Sequence, residues 1–177
     1  MKLLGLLRHA KSDWDDLSLR DFDRGLNNRG RKGAALMGAH ISALGLPWQR
    51  IIASPAERVR CTLEASGLGL PVSWCDNAYM ADADTLLELL RSQGGKDEAL
   101  LLAAHNPGLQ ELALKLVPPE GENALFDEVM AKFPTAALAV FELDTADWAG
   151  ITPGCGRLTH FVRPRDLDPA LGPQGRD

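Results

Sequence analysis

The segment Ala99–Ala104 holds six consecutive apolar residues and no polar one. A strand alternates its side chains between two faces, so a strand of this composition is buried on both. That requirement places helices above and below a sheet. The flanking segments supply them. Lys2–Leu7 is a short apolar run ahead of polar residues, and Arg50–Ala53 and Pro71–Cys75 are further strand candidates. Between them, Asn28 is placed to cap a helix over Arg29–Leu44, with Met37, Ile41 and Leu44 on one face and Gly45 at its stop. Ser54-Pro55 reads as an N-cap and a first helical position, opening a helix to Ala65. Asp84–Arg91 and Pro107–Val117 carry leucines at helical spacing. Strands alternating with helices predict an α/β fold, a three-layer α/β/α arrangement with a mostly parallel central sheet.

The last third changes character. Thr135–Leu143 and Arg157–Arg163 are strand-like and joined through a Gly/Pro-rich stretch, which predicts antiparallel C-terminal strands added to one side. Glu120–Glu128 reads as an acidic loop and Ala10–Arg29 as a charged one. The 177 residues suit a single domain over 1–163, with a Pro/Gly/Asp-rich, flexible tail over 164–177.

Bulk properties remove several function classes. A net charge of −5 argues against a nucleic-acid partner, though not against a local basic pocket for an anion. No apolar run approaches ~20 residues, so no membrane span is expected. Met1–Leu7 is interrupted by Gly5 and followed at once by Arg8, which fits a strand better than a signal peptide. Cys61, Cys75 and Cys155 are odd in number and lack CxxC spacing, as for buried reduced thiols. Together these features predict a cytoplasmic protein.

Chemistry-bearing residues gather in Arg8-His9-Ala10-Lys11-Ser12, in Ser54-Pro55-Ala56-Glu57-Arg58 with Thr62 beyond, and in His105-Asn106-Pro107-Gly108. The first and last follow predicted strands, and Arg58 lies in the first turns of a helix that follows another. A parallel sheet brings all three to its carboxyl edge, where ligand sites form. Such a set suits phosphoryl transfer. Arg8 and Arg58 can each grip two phosphate oxygens through a planar fork. His9 can attack phosphorus through a neutral ring nitrogen, and the neighbouring arginines disfavour its protonation. His105 and Ser12 can donate to phosphate oxygens.

Arg8-His9, the Ser-Pro-x-x-Arg-x-x-x-Thr pattern over Ser54–Thr62, and the distal His105 resemble the histidine phosphatase superfamily. Arg-His-Ala-Lys-Ser-x-Trp over Arg8–Trp14 and His-Asn-Pro-Gly over His105–Gly108 resemble its small SixA-like branch of phosphohistidine phosphatases. The resemblance runs from Lys2 to about Val162. It implies a phosphoglycerate mutase-like fold, a nucleophile at His9, and phosphate ligands at Arg8, Arg58 and His105. No cofactor and no metal is implied. Spacing to Thr62 selects Arg58 over Arg60.

Departures from the pattern bear on the substrate. Larger relatives carry a glycine where this chain has Ala10. Acid-phosphatase relatives place a donor Asp at the position of Asn106, which remains a substrate-binding candidate here. Mutase-like relatives carry a donor Glu near Asn77-Ala78-Tyr79-Met80. Asp13, Asp15, Asp21 and Asp82 are left as candidate proton donors. A weak donor favours a substrate with a good leaving group, so the expected substrate is phosphohistidine of a partner protein or a similarly labile phosphate. Only 46 residues separate Arg58 from His105, leaving little room for a lid. A small-molecule phosphatase or mutase, and a phosphate-recognition module without turnover, stand as alternatives.

Overall fold

The computed structural model describes residues 1–173. Six strands form one sheet: β1 (Lys2–Arg8), β2 (Arg50–Ala53), β3 (Val72–Trp74), β4 (Ala99–Ala104), β5 (Leu138–Leu143) and β6 (Gly156–Val162). Their spatial order is β3-β2-β4-β1-β5-β6. β3, β2, β4 and β1 run parallel, while β5 lies antiparallel to β1 and β6 antiparallel to β5. The mixed sheet expected from the sequence is the sheet observed.

Helices α1 (Asn28–Ala43), α2 (Glu57–Ser66), α3 (Ala83–Gln93), α4 (Gly108–Leu116), α5 (Ala124–Ala131) and α6 (Pro164–Leu167) complete the layers. Alternation along each strand divides the core. Leu4, Leu6, Leu100, Leu102 and Phe141 face the side built by α3, α4 and α5. Leu7, Leu101, Ala103 and Val140 face α1 and α2, where Met37, Ile41, Val59 and Leu63 pack. β4 is buried along its whole length, as its composition requires. Each fully buried leucine contributes about 2 kcal/mol of burial free energy.

Glycine decides how closely two elements approach. A Cβ on Gly38 would stand 1.9 Å from the carbonyl oxygen of Ser66, so α1 and α2 meet backbone to backbone there. A Cβ on Gly30 would stand 2.1 Å from the carbonyl oxygen of Lys11, which seats the first turn of α1 against the segment after β1.

Several local expectations are corrected. Asn27, not Asn28, caps α1 by accepting from the Gly30 N–H. Ser54 does not cap α2, which starts at Glu57, and is used elsewhere. The acidic loop over 120–128 contains α5, because Phe126 and Val129 sit three apart on one face and Asn123 caps it. The three thiols are half-buried and unbridged rather than buried. Where composition suggests a loose tail, residues 164–171 form α6 and a 3-10 turn that strap α1: Lys32 pairs with Asp168, and Arg29 donates to the carbonyls of Ala170 and Gly172. Residues 174–177 of that expected tail lie outside the described residues. No helix is long and apolar enough to cross a membrane among the described residues.

Candidate active site

The carboxyl ends of β1, β2 and β4 place three chemistry-bearing segments together. His9 leaves β1 with its N–H donating to the Ala104 carbonyl at the end of β4. Ala136, held in the left-handed region at φ 59°, donates its N–H to the carbonyls of both Arg8 and His9. An L-residue adopts that conformation at a cost, and here it fixes the turn that carries the imidazole. The next residue is tied as well. Ala10 N–H donates to Thr62 Oγ1 at 2.8 Å, and that hydroxyl donates to the Arg58 carbonyl at 2.6 Å. The Arg-x-x-x-Thr spacing thereby gains a physical meaning: one turn of α2 presents a guanidinium and fastens the His9 loop.

His9 is 7% exposed. Its Nδ1 lies 2.8 Å from the Ala10 carbonyl oxygen, which accepts only. The proton therefore sits on Nδ1, and Nε2 carries the lone pair. Burial pushes the pKa of this imidazole down to about 3, and the charges of Arg8 and Arg58 and the proximity of His105 add to the shift against the raising effect of the Ala10 bond. The neutral form needed by a nucleophile is the stable form.

His105, at the end of β4, lies with its ring centroid 5.2 Å from that of His9. Burial and the nearby Arg58 lower its pKa to about 4. Its Nε2 is hydrogen-bonded to Ser54 Oγ at 2.7 Å, and Ser54 also accepts from the Ala56 N–H. Its Nδ1 is buried and has no hydrogen-bond partner among the described residues. Tyr79 stands edge-on to the same ring, centroids 5.5 Å apart.

Arg58 is 5% exposed. It donates through Nη1 to the Asp21 carbonyl oxygen at 2.8 Å and through Nη2 to the Asp21 carboxylate at 3.0 Å. The Tyr79 hydroxyl donates to the same carboxylate at 2.6 Å. Burial raises the pKa of Asp21, but the Tyr79 and Arg58 contacts outweigh it and hold the carboxyl below the usual range. On the other flank, Arg8 Nη1 and Asn106 Nδ2 converge on one acceptor, the Phe133 carbonyl, at 3.0 and 2.9 Å. The arginine and the asparagine, at the ends of adjacent strands, are thus clamped by the segment between α5 and β5.

The structure thus brings together His9, His105, Arg58, Arg8 and Asn106. It draws Ser12 toward the outer loop, where it bridges to Leu26 and its Oγ accepts from Trp14 Nε1 at 3.0 Å. Asp13 and Asp15 lie on that loop, with Asp13 accepting from the Asp15 N–H. Asp82 caps α3 through the Thr85 N–H, and the Thr85 contacts lower its pKa. Asp21 and Asp82, both held as carboxylates, are poorly suited to donate a proton. Sequence reasoning missed Ser54 as the partner of His105 and Tyr79 as the partner of Asp21. Tyr79 is the only tyrosine in the chain, a signal that was available. Among the described residues no group of three or more His, Cys, Asp or Glu could hold a metal ion.

The strand order, with an antiparallel pair beside β1 and Arg8-His9 at its end, defines a phosphoglycerate mutase-like α/β protein. The sequence model of the Histidine phosphatase superfamily (branch 1) matches residues 4–77, and the chain belongs to this superfamily. The uncharacterized protein Rv1276c of Mycobacterium tuberculosis is 34% identical over 160 residues, covering 90% of this chain and 100% of that one. The candidate phosphohistidine phosphatase SixA of Nakamurella multipartitia superposes with a TM-score of 0.82 at 24% identity, over 92% of this chain and 96% of that one. The protein histidine phosphatase SixA, in complex with tungstate, superposes with a TM-score of 0.75 at 23% identity, over 94% and 99%.

Proposed function

We propose that the protein is a metal-independent phosphohydrolase that removes labile phosphoryl groups, above all from phosphohistidine on a partner protein. One observation carries this reading: a buried imidazole whose Nδ1 is tied to Ala10, leaving Nε2 unprotonated, with a second histidine ring 5.2 Å away and Arg8 and Arg58 close enough to lower the pKa of His9. In the first step a bond forms from His9 Nε2 to phosphorus while the bond to the leaving nitrogen breaks. The substrate ring, protonated by solvent on its other nitrogen, departs as a neutral imidazole. In the second step water attacks the phosphoryl group on His9, releasing inorganic phosphate and restoring the imidazole. Arg8 and Arg58 neutralise the equatorial oxygens, and His105 lies beside them. The Asp21 carboxylate on Arg58 is exchanged for, or shared with, the phosphate.

The carboxylates around the pocket are poor acids, and this favours substrates whose leaving group needs little help. The likeness to a histidine phosphatase that binds tungstate, a tetrahedral oxyanion, agrees with this assignment. The test is a panel of phosphohistidine peptide, aryl phosphate and sugar phosphate, assayed without added metal. Phosphohistidine and aryl phosphate are expected to turn over and the sugar phosphate to lag. His9→Ala should abolish turnover with the circular-dichroism spectrum unchanged. Arg58→Ala should lower kcat/KM by about 10²–10³, as for a lost charge-stabilising donor. Undiminished turnover in His9→Ala would end the proposal.

A further inference from the structure

Ser54 is the first residue beyond β2 and stays tied to the sheet, its N–H donating to the Ala103 carbonyl of β4 at 3.0 Å. Ser54 and His105 are 0% and 1% exposed, so the bond between Oγ and Nε2 is made away from solvent. A hydroxyl has one proton to donate and two lone pairs with which to accept. At Ser54 one lone pair takes the Ala56 N–H at 3.3 Å, and the sole further hydrogen bond of Oγ among the described residues is to His105 Nε2 at 2.7 Å. Were the ring to donate there, the hydroxyl proton would be buried without an acceptor, which costs more than a hydrogen bond returns. The opposite direction leaves no group of Ser54 unmet: the hydroxyl donates and Nε2 accepts. Burial and Arg58 lower the pKa of this ring to about 4, so it is neutral at pH 7. A neutral imidazole that accepts at Nε2 holds its proton on Nδ1. Nδ1 of His105 is the buried ring nitrogen that has no hydrogen-bond partner among the described residues. The two ring nitrogens diverge. With Nε2 held on the β2 side of β4, Nδ1 is turned away from that side, and β1, which ends at His9, flanks β4 on the other.

We infer that Ser54 is a positioning residue: its hydroxyl fixes His105 in the Nδ1–H form, so that this N–H donates to an oxygen of the phosphoryl group transferred to His9. The opposite tautomer would turn a lone pair toward the oxyanion and repel it. The two imidazoles of the site then share one protonation form and divide the work by what ties them. His9 is held at Nδ1 by a carbonyl, which accepts only, and keeps a bare Nε2 for attack. His105 is held at Nε2 by a hydroxyl whose proton has no other acceptor, and keeps an N–H for binding. The serine of the Ser54–Thr62 pattern thereby has a task separate from that of Thr62, which fastens Ala10.

The inference rests on the phosphatase reading for the identity of the anion, and its test needs no turnover. Long-range proton–nitrogen correlation on protein labelled with nitrogen-15 histidine reads both tautomers at pH 7. In the wild-type protein His105 should show an N–H at Nδ1 and a bare, accepting Nε2. Ser54→Ala should populate the Nε2–H form of His105, while His9, tied to Ala10, keeps its own tautomer. Binding of inorganic phosphate, titrated by calorimetry, should weaken about tenfold in Ser54→Ala, the loss of one hydrogen bond to a charged oxygen. Ser54→Thr retains the hydroxyl and should recover the Nδ1–H form and most of the affinity. A wild-type His105 protonated on Nε2 would overturn the inference even if no variant folded. Unchanged phosphate affinity in Ser54→Ala, with the tautomer altered, would overturn it too. An Nδ1–H His105 and the tenfold loss, in a protein that turns over neither phosphohistidine nor aryl phosphate, would remove the phosphatase reading and leave the role of Ser54 standing.

Discussion

The protonation state of His9 gives the sharpest test of the site. With an ordinary pKa of 6.5, an imidazole is about 75% neutral at pH 7 and about 3% neutral at pH 5, so a reaction needing the neutral ring falls roughly 25-fold across that interval. The His9 ring is buried, faces Arg8, Arg58 and His105, and has its pKa lowered to about 3. At pH 5 it should remain about 99% neutral. The expected outcome is therefore a kcat/KM that changes less than about twofold between pH 7 and 5, once ionisation of the substrate phosphate is allowed for. Nitrogen-15 NMR of labelled histidine provides the direct check: Nε2 of His9 should keep the shift of a bare ring nitrogen down to pH 5, and Nδ1 that of an N–H. An acid limb centred near 6.5, matched by a His9 titration at the same pH, would refute the argument from burial and charge.

The same shifts predict acid-sensitive stability: His9 and His105 both have folded pKa values below their unfolded ones, so the unfolded chain binds more protons below about 6.5. Stability should be full above that pH and fall as the pH drops toward 4, by about 1.4 kcal/mol per unit for each histidine, measurable as urea midpoints across the range. Ser54→Ala leaves His105 Nε2 buried without its partner, and should cost about 1–3 kcal/mol in stability together with a loss of kcat that Ser54→Thr partly restores. Gly38→Ala places a methyl against the Ser66 carbonyl and should lower Tm by several degrees in calorimetry, with kcat/KM unchanged in the molecules that remain folded.

Much of this arrangement was legible in the sequence because its signals are local or periodic. The apolar run of β4 has one physical outcome, and the arginines and histidines that follow strands have one edge to occupy. What escaped were partnerships made across the fold. Ser54 followed by Pro55 carries the signature of a helix cap, yet its hydroxyl is taken by a histidine 51 residues away. Tyr79 and Asp21 are 58 residues apart and meet only because two separate loops, each with a short 3-10 turn, converge at the Arg58 side chain. The segment after Glu120 reads as polar when its acids are counted, but Phe126 and Val129 needed only one buried face to make a helix. The C-terminal segment reads as loose because its prolines, glycines and aspartates carry no helical or strand period. Its hydrogen bonds come from Arg29, Lys32 and its own aspartates.

The tautomer of His9 is fixed by the carbonyl of the very next residue. Many enzymes orient such a ring with a carboxylate borrowed from a distant loop, and any remodelling of that loop disturbs the reactive group. Here the ring is aligned by the adjacent peptide, whose N–H is in turn fastened to Thr62 of α2. The rim is consequently freer to diverge: apart from Asp21 and Tyr79, which hold Arg58, the loops over 12–26 and 76–82 can exchange residues, lengthen or change charge, while the His9 ring keeps the same aim.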